Sequence, residues 1–251
     1  MVTIGDRTAP RTHATNPLLT WWAMILETFP VGALQSNCTI LGCEQTREAV
    51  VVDPGDEAGR ILDRLAELDL RACFIFQTHA HFDHVMASRA IKQAHGALIC
   101  LHPADASLYE SLPVQAATFG MQVDDPLPVD AFLEDHAEIV WGKKSTAGAG
   151  EAPFSSGSAP GRHRGILIHT PGHTPGSACL YLPELSVLFS GDTLFRAGVG
   201  RTDLWGGSFP DLVSSIRERL FTLPSDTLVI PGHGPTTTIE AECSMNPVMA
   251  M

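Results

Sequence analysis

The sequence has little positive charge. It contains 16 Lys and Arg against 28 Asp and Glu, so its formal net charge is −12 at pH 7, and only three of the cations are lysines. Proteins whose main partners are nucleic acids or anionic membranes present clustered positive charge. We therefore predict no nucleic-acid partner and no membrane partner for this chain.

The sequence also lacks a long hydrophobic run. The longest run near its start covers residues 18–26, whereas a transmembrane helix needs about 20 apolar residues. Arg7 and Arg11 precede this run, as basic residues precede the core of a signal peptide, but no small-residue cleavage pattern follows it. We therefore expect residues 1–22 to be an N-terminal extension of a cytoplasmic protein.

The six cysteines include no C-x-x-C pair, and most of them lie in apolar stretches. This pattern predicts buried, reduced thiols, which are typical of a cytoplasmic protein, rather than a disulfide framework.

The apolar content is sufficient for a large core, with 44% hydrophobic and 18% charged residues in a chain of 251. Residues 112–129 are predicted to be irregular, and residues 143–164, rich in Gly, Ser, Ala and Pro, to be a flexible surface loop. We expect one domain over residues 23–251 that contains this loop. Periodicity predicts strands at 23–29, 38–41, 49–52, 72–76, 97–101, 166–169, 178–182, 187–190 and 227–230, and helices at 58–68, 85–95, 104–110 and 209–221.

Eleven histidines stand out in the composition, and histidine is the commonest metal ligand in proteins. Several of them follow predicted strands directly, where loops on a rigid sheet build functional sites. Four such loops carry the residues His79, His81, Asp83 and His84, then His173, then Asp192, and finally His233.

The H-x-H-x-D-H block at residues 79–84 places three imidazoles and a carboxylate within six positions. Such a cluster is mutually repulsive, or desolvated without compensation, unless a cation holds it. Imidazole and carboxylate are suitable Zn²⁺ ligands at about 2.0–2.2 Å. The block therefore predicts a metal site, which the His, Asp and His of the other loops would complete.

The combination of H-x-H-x-D-H with a later His, Asp and His resembles the metallo-β-lactamase superfamily. Within it, the segments at 170–177, 190–195, 198–203 and 231–235 resemble the short bacterial glyoxalase II-like thioesterases. The resemblance implies a mixed α/β (α+β) fold, a four-layer αββα sandwich with the site at the sheet edge. It also implies a ligand set for two metals: His79, His81 and His173 for the first, Asp83, His84 and His233 for the second, and Asp192 as a bridge.

The resemblance implies hydrolysis of an acyl thioester. S-lactoylglutathione is one such substrate, and other thioesters are alternatives. Two divalent metals, zinc by expectation with iron and manganese as alternatives, lower the pKa of a shared water to about 7, and the resulting hydroxide attacks the acyl carbon. Asp83 and Asp192 are the expected catalytic carboxylates. No serine or cysteine nucleophile is needed.

Two further residues have weaker support from the sequence. The resemblance implies that Asp53 supports the residues of the histidine block without binding a metal itself. Its place before Pro54-Gly55 is equally typical of a turn. Arg201 is predicted to meet a substrate carboxylate, with an ion pair to Asp203 as the alternative. Full-length glyoxalase II enzymes have an additional C-terminal helical domain, whereas only residues 236–251 follow the motif around His233, so strict glutathione specificity is not implied.

Other functions remain open at this point. A persulfide dioxygenase-type iron oxygenase shares Gly-Arg-Thr-Asp at 200–203, but that branch tends to have Pro-Ala-His-Asp where this chain has Pro-Gly-His-Gly. Lactone or β-lactam hydrolysis is a third alternative. A non-catalytic zinc protein is disfavoured, because structural zinc sites are usually closed sets of four Cys or His ligands. The sequence does not predict an oligomeric state.

Overall fold

Among the residues that the structure describes, two six-stranded β-sheets form the centre of the fold. The structure is a computed structural model, which describes residues 24–142 and 163–250. The first sheet contains β1 (Met24–Val31), β2 (Ser36–Cys43), β3 (Glu48–Val52), β4 (Arg71–Phe76), β5 (Leu98–Leu101) and β6 (Ala131–Phe132), in that spatial order. The second contains β7 (Glu138–Trp141), β8 (His163–His169), β9 (Ala178–Leu182), β10 (Val187–Gly191), β13 (Leu228–Pro231) and β14 (Thr237–Thr238), in the order β14-β13-β10-β9-β8-β7. A separate hairpin pairs β11 (Leu194–Phe195) with β12 (Gly198–Val199).

Helices cover the outer faces of both sheets. They are α1 (Ala58–Glu67), α2 (Phe82–Val85), α3 (Ser88–His95), α4 (Ala106–Glu110), α5 (Leu112–Thr118), α6 (Phe209–Ser215) and α7 (Ile239–Met245). Short 3₁₀ segments occupy Pro103–Asp105 and Pro247–Ala250, and a π-turn at Ile216–Leu220 continues α6. Within the described residues, no helix has the length and apolarity that crossing a membrane requires.

The strands bury both faces, and this produces the layers. Along β3, Ala49 and Val51 pack into a core beneath α1 and α3, whereas Val50 and Val52 pack into the core between the sheets. Successive strand residues point to opposite faces, so one apolar run supplies two cores. Leu188 of β10 likewise faces a third core beneath α6. The result is a helix–sheet–sheet–helix sandwich, which confirms the predicted fold.

The predicted strands are all present, but three sequence-based boundaries are wrong. The predicted helix at 85–95 is two helices, α2 and α3, since Val85 ends the first and Ser88 begins the second. Residues 112–118 form α5 rather than an irregular segment. The predicted loop at 143–164 ends too late, because His163 and Arg164 pair with β7. The rest of that loop, and the predicted extension at 1–22, lie outside the described residues.

Strand direction brings the polar loops together. β3 runs parallel to β4, and β10 runs parallel to β13. β8 and β10 are both antiparallel to β9, so β8 shares their direction. Hydrogen bonds join the two sheets at this edge: the N–H of Ala178 donates to the carbonyl of Thr78 at 2.7 Å, and the Asn37 amide donates to the carbonyl of Pro231 at 2.8 Å.

Candidate metal centre

All seven predicted ligand residues lie at one edge of the sandwich. His79 and His81 follow β4, Asp83 and His84 lie in α2, and the remaining three follow β8, β10 and β13. Up to 154 residues separate them in the sequence, and the shared direction of the strands brings them together. Their donor atoms form three overlapping groups: His79, His81 and His173, then Asp83, His84 and His233, and between these two the set of His79, His84 and Asp192.

The first group consists of three buried imidazoles. The Nε2 atom of His173 lies 3.2 Å from Nε2 of His79 and 2.8 Å from Nδ1 of His81. Ligands about 2.0–2.1 Å from a tetrahedral metal lie about 3.4 Å from one another. The three nitrogens are therefore spaced as the ligands of a single ion.

The second group consists of a carboxylate and two imidazoles. Nε2 of His84 lies 3.2 Å from Nε2 of His233, and Oδ2 of Asp83 lies 3.2 Å from the same His233 atom. The distance from Asp83 Oδ2 to His84 Nε2 is 3.6 Å. These spacings fit a second ion.

Asp192 lies between the two groups. Its Oδ2 is 3.6 Å from Nε2 of His173 and 3.7 Å from Nε2 of His233, and its Oδ1 is 3.6 Å from Nε2 of His84. Among the described residues, this buried Oδ1 has no hydrogen-bond partner. A buried carboxylate oxygen without a donor is costly unless a cation faces it. The donor set therefore suits a dinuclear metal site.

The two groups differ in their electrostatics. Burial lowers the pKa of His79 well below its ordinary value and that of His81 to about 3, so both imidazoles are neutral near pH 7 and have a lone pair for a metal. Burial also opposes protonation of His84, but the charges of Asp83 and Asp192 outweigh it and raise its pKa to about 10. The second group thus attracts a positive charge strongly enough to retain a proton.

Hydrogen bonds orient the imidazoles. The Nδ1–H of His173 donates to the backbone carbonyl of Arg201 at 2.7 Å, and that of His233 donates to the carbonyl of Leu34 at 3.1 Å. A proton held on Nδ1 leaves Nε2 as the free lone pair, and Nε2 is the atom that faces the other donors.

Asp53 lies directly behind the histidine block. It is buried, and its φ of +47° turns the chain sharply at the end of β3. Its Oδ1 and Oδ2 accept hydrogen bonds from the backbone N–H and the hydroxyl of Thr78, both at 2.7 Å, and Oδ2 lies 3.1 Å from Nδ1 of His84. This carboxylate is thus placed both to shape the turn and to orient a candidate ligand.

Asp105 was not identified from the sequence, although it connects two of the loops. It is fully buried and accepts hydrogen bonds from the N–H of Ala80 at 2.9 Å, the hydroxyl of Thr174 at 2.8 Å and the N–H of Gly176 at 2.6 Å. Burial raises its pKa, and these three bonds oppose that rise. Its position shortly after the end of β5 is the signal that could have revealed it, since the predicted ligands also follow strand ends.

Arg201 makes the ion pair given as the alternative to substrate binding. Its Nε and Nη2 atoms donate to the Asp203 carboxylate, both at 2.7 Å, and the Arg201 side chain is 55% exposed. An exposed guanidinium in such a pair can still reach a ligand, so its contact with substrate stays a prediction.

The absence of a side chain at Gly232 lets Asp192 and His84 approach each other. A Cβ atom at this position would lie 2.2 Å from Oδ1 of Asp192 and 2.8 Å from Cε1 of His84. Only glycine leaves room for both ligands here.

The fold and this site together define a class of protein: an αββα sandwich built to hold two adjacent metal ions at its sheet edge. Residues 31–233 match the Metallo-beta-lactamase superfamily. The chain belongs to this superfamily and is a metal-dependent hydrolase of it.

Similar proteins span nearly the whole described chain. Hydroxyacylglutathione hydrolase GloC of Haemophilus influenzae is 39% identical over 227 residues, which cover 90% of this chain and 98% of that protein. Among solved structures, the BLEG-1 B3 metallo-beta-lactamase has a TM-score of 0.77 at 32% identity, covering 90% of this chain and all of its own. TTHA1623 in a di-iron-bound form has a TM-score of 0.72 at 36% identity, covering 88% and 98%.

Proposed function

We propose that this protein hydrolyses acyl thioesters such as S-lactoylglutathione at a centre of two divalent metal ions. The observation that carries the proposal is the position of Asp192 between two donor groups, within 3.7 Å of His84, His173 and His233. The 39% identity with a hydroxyacylglutathione hydrolase over most of both chains supports the substrate class.

The proposed ligands follow the two groups: His79, His81 and His173 for one ion, and Asp83, His84 and His233 for the other, with Asp192 shared. Divalent ions bound there would polarise the substrate carbonyl and lower the pKa of water to about 7. Zinc and iron both suit imidazole and carboxylate donors, and the di-iron form of TTHA1623 makes iron a serious alternative.

The chain's own groups divide the remaining work. Asp83 is placed to orient the attacking water, because its Oδ2 lies 3.6 Å from Nε2 of His84 and 3.2 Å from Nε2 of His233. The departing thiolate has a free pKa of about 8.5 and needs little proton assistance. A cysteine nucleophile is disfavoured, since burial raises the pKa of Cys100 and of Cys179 to about 12.

Three broader assignments accompany the proposal. Arg201 would contact a carboxylate of the substrate. One metallo-β-lactamase-type domain would cover residues 23–251, with 1–22 as an extension. The protein would work in the cytoplasm, which the six unpaired cysteines of the structure support.

The deciding experiment is turnover of S-lactoylglutathione beside other acyl thioesters, with metal analysis of the same sample. We expect about two metal ions per chain, and a loss of activity of about 10³-fold or more in His79→Ala and Asp192→Ala. His136→Asn is the matched control, since that side chain is 76% exposed and its φ of +64° is one that asparagine tolerates.

Unchanged thioester hydrolysis in the two site variants would refute the proposal. Oxygen consumption with glutathione persulfide, in the absence of thioester turnover, would replace it with the dioxygenase alternative. Turnover of lactones or β-lactams alone would keep the site and change the substrate.

A further inference from the structure

Two exposed aromatic rings lie beside the metal centre and have no part in binding the ions. The ring of Trp205 meets that of His81 edge-on with centroids 5.7 Å apart, and the ring of Phe119 lies 6.5 Å from Trp205. Trp205 is 36% exposed and Phe119 45% exposed, although both are large apolar side chains. We call these two residues the aromatic wall.

The aromatic wall is held in place by the loops of the site. The turn that carries Trp205 is closed by a 2.8 Å bond from the N–H of Gly207 to the carbonyl of Leu204, and the next residue, Ser208, donates to the carbonyl of Gly172 at 2.7 Å. Phe119 packs on the buried ring of Phe82, with centroids 5.0 Å apart. Trp205 is therefore fixed beside His81 and Phe119 beside Phe82, and their exposed faces form a preformed surface.

The charges nearby indicate which half of a thioester this surface suits. A glutathionyl group carries two carboxylates, and the aromatic rings offer these no donor that matches their charge. The cation that is proposed to meet a substrate carboxylate is the guanidinium of Arg201, which pairs with Asp203 and is not part of the wall. An apolar group gains from contact with the rings, since aromatic pairs contribute beyond their buried area.

We propose that the aromatic wall is a specificity-determining surface that binds the acyl half of the substrate and selects thioesters whose acyl group carries an apolar or aromatic substituent. The acyl carbon must lie over the donor groups to be hydrolysed, and Trp205 touches one of those donors, His81. The acyl substituent is bonded to that carbon and, unlike the glutathionyl half, carries no carboxylate, so it is the half that suits the apolar wall. This inference rests on the proposed thioesterase function and extends it.

The test compares S-mandeloylglutathione with S-lactoylglutathione, which share the thiol half and differ by phenyl against methyl. We expect kcat/KM to favour the mandeloyl ester by about tenfold. Trp205→Ala and Phe119→Ala should each reduce that ratio severalfold, whereas Trp205→Phe should retain most of it. The ratio is independent of how much enzyme has full metal occupancy, so partial metal loss near His81 does not imitate the result.

Leu185→Ala is the control, since Leu185 is 44% exposed in the turn that precedes β10, at the opposite end of that strand from Asp192. It should leave the ratio unchanged. A wild-type ratio near one, or an unaltered ratio in both alanine variants of the wall, would overturn the inference.

A binding measurement separates this inference from the proposed function. Calorimetric titration should show mandelate binding about tenfold more tightly than lactate, with the difference reduced in Trp205→Ala. If no thioester is hydrolysed but this difference holds, the proposed function fails and the aromatic wall stands. Equal affinities for the two acids would reject the wall even in an active thioesterase.

Discussion

Oδ2 of Asp53 lies 3.1 Å from Nδ1 of His84, and both side chains are buried. This contact joins the end of β3 to His84, a candidate ligand that follows β4, and it leaves Nε2 of His84 facing His233. The orientation of the second donor group therefore depends on a carboxylate that is not itself among the grouped donors.

Replacing this carboxylate should weaken metal binding. In Asp53→Ala, His84 loses the partner of its Nδ1, and we expect metal affinity to fall about 10–100-fold. Competition with a chelator of known affinity measures the change. Asp63→Ala, at an exposed position on α1, is the control and should bind metal as the wild type does. Equal affinity in both variants would show that Asp53 only shapes the turn.

A single methyl group at residue 232 should also disrupt the centre. Its Cβ atom would meet Oδ1 of Asp192 at 2.2 Å, so Gly232→Ala should reduce metal affinity and thioester turnover by at least about tenfold. Gly59→Ala introduces the same group on α1, where no atom lies within 4 Å, and should change neither quantity. Normal metal content in Gly232→Ala would mean that the two ligands can move apart without loss.

Asp105 should matter for stability even without metal. Asp105→Ala leaves the N–H groups of Ala80 and Gly176 and the hydroxyl of Thr174 without their acceptor, and we expect the free energy of unfolding to fall by about 3 kcal/mol. Urea unfolding of the chelator-treated protein measures this loss. Asp105→Asn keeps one acceptor oxygen and should lose less. Equal losses in the two variants would contradict the hydrogen-bond explanation.

The metal-free protein should be most stable near pH 6.5. Burial lowers the pKa of His79 and His81, so below pH 6.5 the unfolded state binds protons that the folded state does not. The free energy of unfolding therefore decreases as the pH decreases below 6.5. For His84, burial is outweighed by nearby carboxylates and the folded pKa is about 10, so its contribution is lost as pH rises from 6.5 towards 10. Urea unfolding at pH 5, 6.5 and 8.5 tests this; stability that changes in one direction across the series would refute it.

Variants of Arg201 and Asp203 distinguish substrate binding by Arg201 from a purely structural ion pair. If Arg201 meets a substrate carboxylate, Arg201→Ala should raise KM for S-lactoylglutathione about 3–10-fold with metal content unchanged, because His173 bonds to the backbone at 201. Asp203→Ala should not raise KM, since it releases the guanidinium. A similar rise in both variants would show that the ion pair acts on the loop and that Arg201 does not meet the substrate.

The sequence by itself determined the identity of the candidate ligands and the layered fold. The sequence reveals the cluster of His79, His81, Asp83 and His84 because these residues are close together in the chain. It reveals the strands because an apolar run followed by a polar loop is a local pattern. Asp192 and His233 were assigned to the same site because the motifs that contain them resemble those of the metallo-β-lactamase superfamily. The sequence did not predict the break between Val85 and Ser88 or the helix at Leu112–Thr118. At both places tertiary packing outweighs a weak local propensity.

Only the tertiary structure decided which atoms face one another. It placed Oδ1 of Asp192 without a donor, made Asp105 the link between the Ala80 and Thr174 loops, and set Trp205 beside His81. These relationships join segments distant in the chain, and their geometry is fixed by how two sheets and their helices pack. A sequence pattern records spacing along the backbone, whereas the position of a side chain across a sheet edge depends on the packing of the whole core.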